Sequence, residues 1–132
     1  MDRKPILCLD FDGVIHDYRR GWQDGEIYGN ITPGFWEWAE KASEFFKLVI
    51  YSSRSVDPEA IAAMQFWLHI QRKKWRHAGH MPDTDEPLEF EFSERKPPAF
   101  LTIDDRALTF KGDWSEFEPR LLRQFMPWMG KN

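Results

Sequence analysis

Two hydrophobic periods alternate along this chain. Ile6-Leu7-Cys8-Leu9 is apolar at every position, the pattern of a strand covered on both faces in a parallel sheet. Lys47 to Tyr51 and Phe100 to Ile103 repeat that buried-strand pattern, and Leu108 to Phe110 reads as a very short fifth strand. Leu88, Phe90 and Phe92 alternate with Glu89 and Glu91, which predicts a half-exposed edge strand. Between these runs the spacing turns helical. Phe35, Trp38, Ala39, Ala42, Phe45 and Phe46 follow Thr32-Pro33, with Thr32 expected as N-cap and Pro33 at the first helical position. Asp57-Pro58 repeats the signal ahead of a long helix with Ile61, Met64, Leu68 and Trp75 near one stripe. Ser115 with Glu118 predicts a capping box for a last helix carrying Phe117, Leu121, Leu122 and Phe125, closed by Pro127 and Gly130.

Strands alternating with helices give the α/β class with a mainly parallel sheet. No repeat, low-complexity tract or linker divides the chain, so residues 1–132 are expected to form one domain. The polar connection from Gly13 to Thr32, broken by Gly21, Gly25 and Gly29, predicts a flap over about residues 17–31. Trp22, Ile27 and Tyr28 are its candidate anchors.

Composition narrows the classes. A net charge of −4 gives no general attraction to nucleic acid or anionic membrane. The single cysteine, Cys8, excludes an internal disulfide and suits a reducing cytoplasm; in an apolar strand it reads as a buried small hydrophobe. The first residues lead into too short an apolar run for a signal peptide, and no run is long enough to span a bilayer. A cytoplasmic protein with no membrane partner is expected. The basic run Arg72 to His77 is the one local argument for nucleic acid, against the plainer reading of a helix C-terminus facing the acidic stretch Asp83 to Glu94.

Candidate chemistry sits after three strands: Asp10 and Asp12, Ser52 and Arg54, Asp104 and Asp105. Ligands of open α/β sheets bind beyond the carboxyl ends of the strands, where strand order reverses. Alternation puts Asp10 and Asp12 on one side of their strand, where two like charges demand a cation or a retained proton. Alone, Asp12-Gly13 would read as a hairpin turn, Ser52 as a loop serine and Asp104 as a helix cap. A calcium loop is rejected, because Val14 and Ile15 fall where that loop needs a ligand and a glycine.

Taken together these residues resemble the haloacid dehalogenase (HAD) superfamily of aspartate-nucleophile phosphatases. Asp10-Phe11-Asp12-Gly13-Val14 is similar to its first motif, the apolar strand ending at Ser52 to the second, Lys96 to the third, and Ile103-Asp104-Asp105 to the two-acid form of the fourth. The resemblance implies a Rossmann-like three-layer sandwich of about five strands with no substantial cap domain. It implies a Mg²⁺-dependent phosphomonoester hydrolase working through an aspartyl-phosphate. Asp10 would be nucleophile and metal ligand, and Asp12 would move protons while its carbonyl binds Mg²⁺. Ser52 would bond a phosphoryl oxygen and Lys96 would offset negative charge. Asp104 and Asp105 would complete the metal site, their division of labour left open. Members that cleave carbon–halogen or carbon–phosphorus bonds lack an acid at the place of Asp12, which favours phosphate-ester hydrolysis.

Ser52 to Arg54 also resembles the 3′-phosphatase domains of polynucleotide kinases, with Ser53 and Arg54 then at the substrate. Arg54 bridging to a surface acid is the even alternative. The expected ligand is thus a phosphorylated small molecule or a nucleic-acid end. A polynucleotide 3′-phosphatase or nucleotidase, and a catalytically idle domain that binds a phosphorylated ligand, stay open as alternatives, as does a homo-oligomer that closes the open site. Trp22 and Tyr28 offer stacking surfaces for a base or sugar, packing of the flap being the more ordinary role. His16 is expected at the rim as a loop residue, with gating of substrate as its sharper alternative.

Overall fold

The computed structural model describes residues 3–82 and 87–123. Four strands form one parallel sheet: β1 (Ile6–Leu9), β2 (Lys47–Ile50), β3 (Glu91–Phe92) and β4 (Leu101–Ile103), in the order β3-β2-β1-β4. β1 lies at the centre, with Leu9 opposite Ile50 on one side and Ile103 on the other. The chain steps from β1 outward to β3, then returns to the far flank of β1. Strand order therefore reverses between β1 and β4, the place where open α/β sheets take their ligands. The class is α/β, compatible with a Rossmann-like sandwich.

Two helices, α1 (Phe35–Phe45) and α2 (Pro58–His77), cover the face of the sheet that carries Leu7, Leu9, Leu48 and Ile50. That face and both helices share one core with Phe11 and Ile15. Asp57 caps α2 as expected, its carboxylate accepting from Glu59 N–H at 3.0 Å, with Pro58 opening the helix. Trp67 and Gln71 join Met64 and Leu68 in the buried stripe, while Ile61 and Trp75 flank it half-buried. No helix among the described residues is long and apolar enough to cross a membrane.

α1 departs from expectation at its start and on its face. Gly34, in the left-handed region at φ 82°, precedes the first turn and lets the chain swing into Phe35. Thr32 is not the cap: the helix begins three residues on, at Phe35, and the Thr32 hydroxyl donates to the Val14 carbonyl at 2.8 Å. The inward face also differs: Trp36 and Glu40 are buried, while Trp38 and Phe45 are exposed. Buried Glu40 is matched by Arg72 of α2, and Glu37 accepts from Trp75 Nε1 at 3.0 Å. The basic run is thus partly interior: its first residue ties the two helices together, while Lys74, Arg76 and His77 occupy the last turn of α2.

The part of the chain after α2 corrects four further expectations. Leu101 to Ile103 is a strand but not a covered one; every residue of β4 is exposed, because it is the sheet edge and none of the described residues shields it. Leu108 to Phe110 forms no fifth strand and is likewise exposed. The last helix is divided: a 3₁₀ turn over Trp114–Phe117 precedes α3 (Pro119–Leu122), because Asp113 and not Ser115 caps the turn and Glu118 caps α3. Pro119 supplies no N–H, so it suits a helix's first position and not its interior. The predicted edge strand is reduced to Glu91–Phe92. Asp83, Asp85, Glu86, Phe125, Pro127 and Gly130 lie outside the described residues.

Candidate active site

β1 ends at Leu9, and the Asp10 N–H continues the ladder by donating to the Ile103 carbonyl at 3.0 Å. That bond sets Asp10 beside the chain leaving β4, where Asp104 and Asp105 follow directly. Carboxylate oxygens of Asp10, Asp104 and Asp105 lie within 4.8 Å of one another. Burial, with the charges of Asp104, Asp105 and Asp12 behind it, pushes Asp10 up to about 6 against the lowering pull of the Phe11 N–H, which donates to its Oδ1 at 2.9 Å. Burial likewise raises Asp105, more than Arg106 beside it pulls down. Three carboxylates thus share one small space, with Arg106 Nε 3.9 Å from Asp105 Oδ1.

Asp12 is turned elsewhere. The chain after it folds back sharply, with Ile15 and His16 N–H groups donating to the Phe11 carbonyl and Gly13 N–H to the His16 carbonyl. Gly13 suits the turn because its φ is 87°, and a Cβ here, 2.3 Å from Asp105 Oδ2, would push that carboxylate aside. The turn brings His16 beneath Asp12, its Nδ1 2.8 Å from Asp12 Oδ1. Gly29 N–H donates to His16 Nε2 at 2.9 Å, so Nε2 is the acceptor and Nδ1 carries the proton towards Asp12. Gly29 can come so close only because it lacks a Cβ, which would meet the Asp17 carbonyl at 2.1 Å.

Arg54 completes the surround. Its Nε donates to Asp12 Oδ2 at 2.7 Å and its Nη2 to Oδ1 at 3.2 Å, a forked pair with both side chains buried. Its Nη1 donates to the Gly25 carbonyl of the flap at 2.6 Å. Burial would raise Asp12, but the His16 and Arg54 contacts outweigh it and hold this carboxyl below the usual carboxylate range. Of the two readings of Arg54, the bridge to an acid is the one seen, though the acid is a buried site residue and not a surface one.

The remaining expected residues divide. Ser52 is buried and caps a 3₁₀ turn over Ser53–Val56: its Oγ accepts the Arg54 N–H at 3.2 Å, while its own N–H donates to Ser55 Oγ at 3.1 Å. The hydroxyl proton of Ser52 is left for another acceptor. Ser53 is exposed on that turn. Lys96 is exposed on the crossover from β3 to β4, and its charge acts weakly on the Cys8 thiol, which burial pushes up. Among the described residues no ion pair joins Lys96 to the three clustered acids.

His16 is not at the rim. It is fully buried, ringed by Phe11, Tyr18, Tyr28 and Trp67 with centroids 5.1 to 5.9 Å away. The sequence carries one signal for this, an Asp and a His four apart across a glycine turn, which is too common to single out. The contribution of Gly25 comes through its backbone carbonyl and has no side-chain signal at all. No family model, no curated protein and no solved structure matches this chain.

Proposed function

We propose that the chain is a Mg²⁺-dependent phosphomonoester hydrolase with Asp10 as nucleophile. The observation that supports the reading is the meeting of Asp10, Asp104 and Asp105 at the point of strand-order reversal, with Asp12 alongside on its own hydrogen-bonded mount. The donor set fits a hard divalent cation: all three groups are carboxylates, and their oxygens lie close together. Asp10, Asp104 and Asp105 would hold the ion, which would neutralise charge on the phosphoryl oxygens.

In the reaction, an Asp10 oxygen attacks phosphorus as the bond to the ester oxygen breaks, and the departing alkoxide takes a proton from Asp12. Water, deprotonated by Asp12, then displaces Asp10 from phosphorus and releases inorganic phosphate. Ser52 has a hydroxyl proton to give a phosphoryl oxygen. Arg54 keeps Asp12 ionised while it holds both oxygens, so that grip must loosen as the ester arrives, and Asp12 must take the proton of the monoanionic phosphate ester before it can pass it to the leaving oxygen. The same grip favours a second reading, a domain that binds a phosphorylated ligand without turning it over.

Phosphate release from phenyl phosphate with and without Mg²⁺, for wild type and Asp10→Asn, tests the proposal. Asp10→Asn is expected to lose about 10³-fold or more. Activity that survives the substitution removes Asp10 as nucleophile; binding without release in the wild type supports the idle domain.

A further inference from the structure

The flap carries a feature that its own packing does not explain. Trp22 is 60 % exposed although it stands beside the site, its ring centroid 5.0 Å from Arg54 Cζ. Arg54 in turn grips Asp12, so one guanidinium separates this indole from a site carboxylate. A tryptophan whose purpose was to pin the flap would be buried beneath it. Here the flap is held by other means. Tyr28 Oη donates to the Gly21 carbonyl at 3.0 Å and accepts from Arg20 N–H at 3.0 Å. Gln23 Nε2 donates to the Arg20 carbonyl at 2.9 Å, and Arg54 holds the Gly25 carbonyl. The turn at Asp24 and Gly25, both at positive φ, folds the chain against the indole, where a Cβ on Gly25 would sit 3.5 Å from the ring. The result is a braced, open aromatic surface with a cation near it and Asp12 just beyond.

We propose that Trp22 is the platform for the alcohol half of the substrate, and that the substrate class is phosphomonoesters bearing a flat ring. The inference rests on the hydrolase reading and extends it from the phosphate to the leaving group. With phosphorus held by the strand ends, the ester's other half projects towards the flap, where an indole offers stacking and almost no hydrogen bonding. Ring stacking on an aromatic side chain tolerates different rings, so a nucleoside and a phenyl group satisfy it alike. A short polyol phosphate gains nothing from it.

Calorimetric titration separates this from a purely structural role and from failure of the hydrolase reading, because it needs no turnover. In the Asp10→Asn chain with Mg²⁺ present, adenosine monophosphate and phenyl phosphate are expected to bind at least about 10-fold more tightly than glycerol phosphate. Adding Trp22→Ala should weaken the two ring-bearing esters by about that factor and leave glycerol phosphate within twofold. Trp22→Phe should restore most of the loss. The proposal is overturned if all three esters weaken together, if Trp22→Ala changes none, or if no ester binds. Loss of phosphate release in the wild type with the ring preference intact would discard the hydrolase reading and keep the platform.

Discussion

Asp12 faces an imidazole and a guanidinium inside the protein, whereas Asp10, two residues earlier, faces Asp104 and Asp105 across the seam between β1 and β4. The pair begin as equivalents, two acids at one strand tip. The fold separates them. Asp12 receives a cation and a neutral donor from the chain, and its charge is settled within the protein. Asp10 receives two more acids, and its charge is left for something outside to settle. A raised carboxyl and a lowered one thus stand two residues apart, each set by its burial and by what faces it.

Stability should divide along the same line. Removing the guanidinium strands a buried carboxylate, so Arg54→Ala is expected to cost about 3–5 kcal/mol in urea unfolding. Adding Asp12→Asn should recover part of that loss, since the stranded charge is gone. A small loss in Arg54→Ala would mean that His16 alone suffices, and the contrast between the two acids would collapse.

The pH dependences carry opposite signs. Asp10 is raised in the folded state to about 6 from 3.8, so the native chain holds its proton more tightly than the unfolded chain. Its contribution is full below the unfolded value and disappears as pH rises through about 6. Asp12 is lowered, so its contribution is present at neutral pH and fades only as acid reaches its folded value. In chelator-treated protein, Asp10→Asn should therefore raise stability at pH 7 by about 1–2 kcal/mol, allowing for solvent screening of a half-buried carboxyl, and flatten the profile between pH 4 and 7. Thermal melts across that range check it; an unchanged profile would show Asp10 to be already compensated.

What could be read beforehand follows the range of the interactions. β1, β2 and the cap of α2 rest on neighbouring residues, and the apolar run and the Asp57-Pro58 pair declare them. The acid cluster was also legible, because parallel pairing carries the ends of β1 and β4 to one place whatever lies between. The start of α1 was not, since Gly34 bends the chain by a backbone conformation that many glycines never adopt. The setting of Asp12 was hidden for a different reason. Arg54 lies 42 residues away, and its other partner is a flap carbonyl, so the pairing exists only once β2, the turn after β1 and the flap are all in place. Phe100 to Ile103 misled because an apolar run records what a strand is made of, not whether anything covers it.

That uncovered edge has a dynamic consequence. β4 is three residues long, buries none of them, and leads directly into two of the three clustered acids, while β1 beside it is embedded in the core. Its opening free energy should lie well below that of global unfolding, and hydrogen exchange should find the β4 amides unprotected long before those of β1 and β2. Equal protection of all three strands would refute this. An ion bridging Asp10 to Asp104 and Asp105 would then act as a rivet between a rigid wall and a hinged one, so that occupancy of the cluster and closure of the sheet edge become a single equilibrium.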